Sequence, residues 1–157
     1  MSHAADIVTM SAAEYMREAL KEAELAYQEN EVPIGAVLVC DGKIIARNHN
    51  RKEATNDATS HAELLCIQEA SKVLGTWHLG DCEIYTTVEP CAMCSGAIIN
   101  ARIERVTYAA PGVKFGTHLS VVNILDSKKF NHNVKVTGGL LEDESAALLK
   151  AFFQERR

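Results

Sequence analysis

Apolar residues recur at helical spacing along the segment 11–30, where Tyr15, Ala19 and Ala23 share one face. Ser11 and Glu14 stand at its start in the arrangement of a capping box, in which each side chain accepts a hydrogen bond from the other residue's backbone N–H. The pattern therefore predicts an amphipathic first helix that ends before Pro33.

Beyond Pro33 the pattern changes to short apolar runs separated by polar turns. Segments 34–40 and 43–47 read as two strands joined at Asp41-Gly42, a pair that favours a hairpin turn. The polar, aperiodic segment 48–60 predicts a loop that leads to a second helix from His61 to about residue 74. The remaining predicted elements are a strand at 82–88, a helix at 90–101, a strand at 105–109, a short apolar helix near 119–125, a weak strand at 134–136 and a last helix at 142–155.

Strands that alternate with helices after one hairpin are typical of an α/β domain. We predict a three-layer α/β/α sandwich in which a mixed five-stranded sheet is covered by helices on both faces. The chain has 157 residues, of which 47% are hydrophobic, enough for one domain with a real core. We therefore assign residues 1–157 to a single domain and treat residues 1–10 as a loose leader.

Composition narrows the classes of function. No apolar run approaches the length of a membrane span, and the first ten residues lack the features of a signal peptide, so we expect a cytoplasmic protein that does not enter a membrane. The five cysteines are an odd number without an export signal, which argues against a disulfide framework. A net charge of −5 argues against binding nucleic acid by bulk electrostatic attraction.

Two short motifs carry the candidate chemistry: His61-Ala62-Glu63 and Pro90-Cys91-Ala92-Met93-Cys94. Taken alone, the histidine could cap a helix and the Cys-x-x-Cys pair could be a redox pair. Together they offer one imidazole and two thiolates, three ligands that leave the fourth position of a tetrahedral zinc ion open, as in catalytic sites. Both motifs fall at predicted helix N-termini, where the helix dipole favours thiolates.

Glu63 is two residues from His61 and would project about 200° around the helix from it, so it is a poor candidate for a fourth ligand. It could be a solvated residue of the first turn, or a proton carrier beside the metal. The combination His-x-Glu with Pro-Cys-x-x-Cys is the pattern of the zinc nucleobase deaminases. In that chemistry a zinc-bound hydroxide attacks the amino-bearing carbon while the glutamate shuttles protons to the ring and the leaving amine.

The chain resembles the family of bacterial tRNA-specific adenosine deaminases from about residue 14 to residue 157. The resemblance rests on Glu31-Val32-Pro33-Ile34-Gly35-Ala36-Val37, Asn48-His49-Asn50-Arg51, the two motifs above, Phe130-Asn131-His132, Gly138-Gly139-Leu140-Leu141, and Phe152-Phe153 with Arg156-Arg157. It implies a homodimeric cytidine-deaminase-like fold with one Zn²⁺ per subunit. The implied activity is deamination at C6 of the wobble adenosine, giving inosine, in the anticodon stem-loop of an arginine tRNA.

The resemblance also implies roles for residues around the metal motifs. Asn50 would hold the flipped base, although it could equally be a turn residue. Lys114, Phe153 and Arg156 would contact the RNA, and the adjacent Phe152 and Phe153 would divide, one packing in the core and one facing RNA. The implied pocket wall consists of Ile34, Ala62, Val88 and Pro90, of which Ile34 and Val88 could also be plain core residues.

The chain departs from the family in one loop. Gly112 replaces a usually acidic residue, and Thr117, His118 and Leu119 replace small residues. Because this loop contacts RNA in the family, a free-base or small-heterocycle deaminase acting on guanine, cytosine, adenine or a pterin-like ring is an alternative function. A non-catalytic zinc module that binds RNA is a third.

Overall fold

The computed structural model describes residues 10–156, so residues 1–9 of the predicted leader lie outside the described part of the chain. The predicted capping box is present at the start of the first helix, with Ser11 and Glu14 each accepting the other's backbone N–H. The elements in chain order are α1 (Ala12–Gln28), β1 (Gly35–Cys40), β2 (Lys43–His49), α2 (Lys52–Thr55), α3 (Ala62–Leu74), β3 (Cys82–Val88), α4 (Ala92–Asn100), β4 (Arg105–Ala110), β5 (Lys135–Gly138) and α5 (Glu142–Gln154).

The five strands form one mixed sheet in the order β2-β1-β3-β4-β5, which confirms the predicted sheet. β1 pairs antiparallel with both β2 and β3, whereas β3, β4 and β5 run parallel. Asp41 and Gly42 both have positive φ, the conformation that a tight hairpin between β1 and β2 requires. The start of β1 and the ends of β2 and β3 therefore lie side by side at the same end of the sheet.

Alternate residues of the central strands face two apolar layers. Ala36, Leu38 and Ile84 pack with the buried faces of α3 and α4. Val37, Val39, Tyr85 and Ala109 pack on the other face with α1, whose contribution is Tyr15, Met16, Ala19 and Leu20. Helices thus cover both faces, which confirms the α/β/α architecture. No helix within residues 10–156 is long and apolar enough to cross a membrane.

Two local predictions were wrong. The apolar segment near 119–125 forms turns and bends instead of a helix. Its backbone N–H groups are taken elsewhere: the amide of Leu119 donates to the Glu89 carboxylate, and those of Ile124 and Leu125 both donate to the Thr117 carbonyl. The segment 48–60, predicted as a loop, contains the one-turn helix α2, whose Glu53 and Ala54 amides donate to the carboxylate of Glu31.

At Gly35 the backbone of β1 lies directly against α1. A Cβ at this position would lie 2.2 Å from the Ala19 carbonyl oxygen and 2.4 Å from the Ala23 nitrogen. We therefore expect Gly35→Ala to lower the free energy of unfolding by about 1–3 kcal/mol or more, as overpacking against backbone does. Urea denaturation measures the change. The matched control is Gly96→Ala, whose Cβ would meet nothing within 4 Å; a similar loss in both variants would contradict this explanation.

Candidate active site

The three predicted metal ligands lie together. The Nδ1 atom of His61 is 3.5 Å from Cys91 Sγ and 3.7 Å from Cys94 Sγ. All three ligand atoms lie within 4.8 Å of one another, and no other group of this kind occurs in residues 10–156. A set of one imidazole and two thiols suits zinc and leaves its fourth tetrahedral position for water or substrate.

The local fold brings these ligands together at two helix N-termini. His61 is the N-cap of α3 and Cys91 the N-cap of α4, both with extended backbone and without a side-chain capping bond. Cys94 lies in the first turn of α4. Because the two side chains at the caps do not bind their own helices, they remain available as ligands.

Hydrogen bonds within the cluster separate the two thiols. The hydrogen bond from Cys94, together with that from His61, lowers the pKa of Cys91 to about 4. Donating that bond, together with burial, raises the pKa of Cys94. Cys91 is thus ready as a thiolate, whereas Cys94 must release its proton to ligate a cation. Metal binding would therefore release a proton from this cluster.

Glu63 lies in the first turn of α3, beside the cluster but outside it. Its side chain is buried, with 4% of the residue exposed. Burial raises the pKa of its carboxyl to about 7. A carboxyl with this pKa accepts and releases protons near neutral pH, which is the property that a general acid and base needs.

A cavity of about 520 Å³ lies in front of these groups. It lies at the end of the sheet where β1 begins and where β2 and β3 end. It is lined by Asn30, Glu31, Val32, Ile34, Asn50, Lys52, Glu53, His61, Ala62, Glu63, Val88, Glu89, Cys91, Phe115, Phe152 and Arg156. A concave, largely apolar cavity with a few convergent polar groups is the usual form of a small-ligand site.

Asn50 lines this cavity and carries an unsatisfied side-chain atom. Its backbone N–H donates to the Ile34 carbonyl, which fixes the residue just past the end of β2. Its side-chain oxygen Oδ1 is buried, and it is the only such side-chain atom in residues 10–156 without a hydrogen-bond partner. Because a buried acceptor without a partner is unfavourable, a ligand that donates an N–H or O–H to it gains binding energy.

Some of the other predicted site residues line the cavity and some do not. Ile34, Ala62, Val88 and Arg156 line it, as does Asn50, whereas Pro90, Lys114 and Phe153 do not. Phe152 is buried and lines the cavity, with the guanidinium of Arg156 3.4 Å from its ring centroid. Phe153 is 49% exposed, so the two phenylalanines divide as expected.

Sequence reasoning missed several cavity residues, among them Glu31, Glu89 and Phe115. Glu31 and Glu89 are buried carboxylates, 1% and 0% exposed, that accept backbone N–H groups from other parts of the chain. Glu89 precedes the Pro90-Cys91 pair, but nothing in the sequence marks it as buried.

Arg47, which lies in β2 beside α1, is ion-paired with Glu18 and Glu22.

Three features together define the class of nucleobase deaminases: a sheet covered by helices on both faces, a His-Cys-Cys cluster, and a buried glutamate beside that cluster at the cavity. The profile of the MafB19-like deaminases matches residues 10–157. A tRNA-specific adenosine deaminase of Bacillus subtilis (strain 168) is 48% identical over 143 residues, covering 91% of this chain and 89% of that protein. One of Aquifex aeolicus (strain VF5) is 46% identical over 143 residues, covering 91% and 94%. The chain belongs to the tRNA-specific adenosine deaminase family.

Solved structures agree with this assignment. A structure described for A-to-I editing by tRNA:A34 deaminases at the wobble position of transfer RNA superposes with a TM-score of 0.83 at 45% identity, over 86% of this chain and 98% of the other. A guanine deaminase from Nitrosomonas europaea superposes with a TM-score of 0.81 at 26% identity, over 93% and 86%. The same fold therefore serves both an RNA substrate and a free base.

Proposed function

We propose that this chain hydrolyses the wobble adenosine of an arginine tRNA to inosine and ammonia. The observation that carries the proposal is the 48% identity, across 143 residues, with an adenosine deaminase specific for tRNA. The cavity adds physical support, because its lining includes two members of the His-Cys-Cys cluster, the buried Glu63, and Asn50, whose side-chain oxygen has no partner. A base must leave the RNA stack to enter such a cavity.

We assign His61, Cys91 and Cys94 as the ligands of one zinc ion per subunit. The donor set fits zinc, and within residues 10–156 no fourth protein ligand joins the cluster, which suits a catalytic site better than a structural one. Zinc at this position would supply Lewis acidity and lower the pKa of a water molecule to about 7.

Glu63 moves the protons. We assign its carboxylate to take a proton from the attacking water and deliver it to the adenine ring nitrogen N1. The water oxygen forms a bond to C6, and a second transfer carries the remaining proton of that new hydroxyl to the exocyclic amino group. The C6–N bond then breaks to release ammonia, and a carbonyl remains at C6. The burial that raises the pKa of Glu63 to about 7 suits both directions of transfer.

The remaining assigned residues position the substrate. Ile34, Ala62 and Val88, which line the cavity, would form the walls around the base. Outside the cavity, the exposed side chains of Lys114 and Phe153 would contact RNA through charge and stacking. Arg156, fixed over Phe152 and bonded 2.8 Å from Asn30 Oδ1, would hold a phosphate or base at the cavity edge.

The role of Asn50 gives a direct prediction. We expect Asn50→Ala to raise KM for an anticodon stem-loop by about 10- to 100-fold, because the base loses a buried hydrogen bond. Steady-state kinetics of inosine formation measures the change. Asn100→Ala, an exposed amide at the end of α4, is the control. An Asn50 variant with wild-type KM would show that its amide only forms the turn.

We also propose a cytoplasmic homodimer. The support for self-association is the segment 119–122, in which three apolar side chains are exposed: Leu119 (78%), Val121 (54%) and Val122 (53%). Apolar side chains clustered on a surface favour burial against another protein surface. Light scattering that gives twice the chain mass would support the dimer, and the mass of one chain would contradict it.

Free-base deamination is the second candidate function, and the similarity to the guanine deaminase favours it. Ammonia release separates the two functions. The zinc-loaded protein is given an arginine tRNA anticodon stem-loop with adenosine at the wobble position, and in parallel free guanine, cytosine and adenine. Turnover of the stem-loop alone supports the proposed function. Turnover of a free base alone contradicts it and supports free-base deamination instead.

A further inference from the structure

The carboxylate of Glu89 is the anchor of the loop Gly112–Ser120. Glu89 is completely buried between the end of β3 and the metal-binding segment. Its Oε2 accepts the backbone N–H groups of His118 at 2.8 Å, Leu119 at 2.9 Å and Ser120 at 3.1 Å. Its Oε1 accepts the backbone N–H of Gly112 at 3.1 Å and the hydroxyl of Ser120. One charged group thus binds both ends of the loop.

The loop packs tightly against this carboxylate at Gly116. A Cβ on Gly116 would lie 2.3 Å from the carboxyl carbon of Glu89. A Cβ on Gly112 would lie 2.8 Å from the ring of Phe115, which packs directly over that glycine. Both positions therefore require glycine for the loop to close on Glu89 and for Phe115 to keep its place.

The position of this loop determines one wall of the cavity. Phe115 lines the cavity, although 44% of it remains exposed. Further along the loop, Thr117 bonds Ser95 of α4 at 2.7 Å, and His118 bonds both Tyr108 at 2.8 Å and Asp126 at 3.2 Å. The side chains of Thr117 and His118 thus fix the loop to the rest of the protein, whereas Glu89 binds its backbone at both ends.

We propose that Glu89 is a positioning residue for the substrate: it fixes the Gly112–Ser120 loop, and so the Phe115 wall, and thereby sets affinity without touching the reacting atoms. This deepens the proposed function and rests on it. Loss of the charge would let the loop shift, because glutamine replaces one of the two carboxylate oxygens with an NH2 group, and the loop N–H groups on that side would then face another donor. The nucleotide in the cavity would then lose one wall.

The test compares Glu89→Gln with Gly116→Ala, which disturbs the same contact from the loop side and lies far from the metal ligands in sequence. Both are expected to raise KM for the stem-loop by about 10- to 100-fold while kcat stays within about twofold, the signature of lost binding rather than lost chemistry. The double variant is expected to raise KM no further than the more affected single variant, because both changes break one contact. Zinc content is expected to stay at the wild-type value in all three.

Gly96→Ala is the control for the added methyl group, since its Cβ meets nothing within 4 Å. Unchanged KM in the two test variants would overturn the inference, as would a fall in kcat and zinc content at constant KM, which would make Glu89 a support of the metal segment. If Glu89→Gln fails to fold, Gly116→Ala decides by the same criterion. The wild-type rate tests the proposed function separately; if only a free base is turned over, the KM ratios for that base decide the role of Glu89.

Discussion

Replacing Glu63 with glutamine is expected to lower kcat for inosine formation by about 10²- to 10⁴-fold, the contribution typical of a general acid and base. Glutamine keeps the size of the side chain but cannot carry a proton between water and the base. Because His61, Cys91 and Cys94 are unchanged, the zinc content of the variant should match that of the wild type. Single-turnover kinetics with metal analysis on the same samples measures both quantities.

Glu69→Gln is the matched control for that variant. Glu69 lies on the same helix, is only partly buried and bonds Asn48 rather than facing the metal cluster. Its kcat should remain close to that of the wild type. Full activity of the Glu63 variant would contradict the proton-carrier role assigned to its carboxylate, whereas a wild-type protein that binds zinc and RNA but forms no inosine would favour a zinc module without catalysis.

Replacing Cys91 with alanine is expected to release the metal and to reduce kcat/KM by about 10³-fold or more, since the Lewis acid contributes several kcal/mol to the barrier. Only His61 and Cys94 of the cluster would remain, too few ligands for a tight zinc site. Zinc content by atomic absorption and activity should therefore fall together.

Cys40→Ala provides the comparison for this loss. Cys40 ends β1, is only partly buried and lies outside the His-Cys-Cys cluster. Its variant should retain zinc and activity. Retention of zinc at the wild-type stoichiometry by Cys91→Ala would contradict the assigned ligand set.

The sequence predicted most of the fold because its strongest signals are local. The capping box of α1, the Asp41-Gly42 turn and the apolar run of β3 each act over a few residues, and all three are present. The two metal motifs also place their ligands at helix starts through local spacing. Cys66 and Cys82 are buried, as expected of small apolar side chains within elements, whereas Cys40 is only partly so.

What the sequence could not predict depends on distant partners. Glu31 and Glu89 bind backbone N–H groups that lie 22 to 31 positions away, and periodicity carries no information about such contacts. The apolar segment 119–125 resembled a helix in its sequence. Its N–H groups, however, donate to the Glu89 carboxylate and the Thr117 carbonyl instead of forming the regular hydrogen bonds of a helix. His49 likewise gains its partners, Glu22 and Glu29, only when β2 packs beside α1.

The phenylalanine pair shows how far helical geometry reaches. Successive residues of a helix point about 100° apart, so Phe152 and Phe153 cannot both face the core. The sequence predicted this division, and the family resemblance predicted that Phe153 would be the residue on the outside. In the structure Phe152 is the buried residue: its ring makes a T-shaped contact with Tyr27 and lies under the guanidinium of Arg156.

Mapping inosine in a full-length arginine tRNA tests the central claim most directly. The tRNA, carrying adenosine at the wobble position, is incubated with zinc-loaded wild-type protein or with the Glu63→Gln variant and then sequenced after reverse transcription, which reads inosine as guanosine. We predict conversion at the wobble position alone, by the wild-type protein alone. Unmodified tRNA after incubation with a preparation that releases ammonia from free guanine would contradict the proposed substrate.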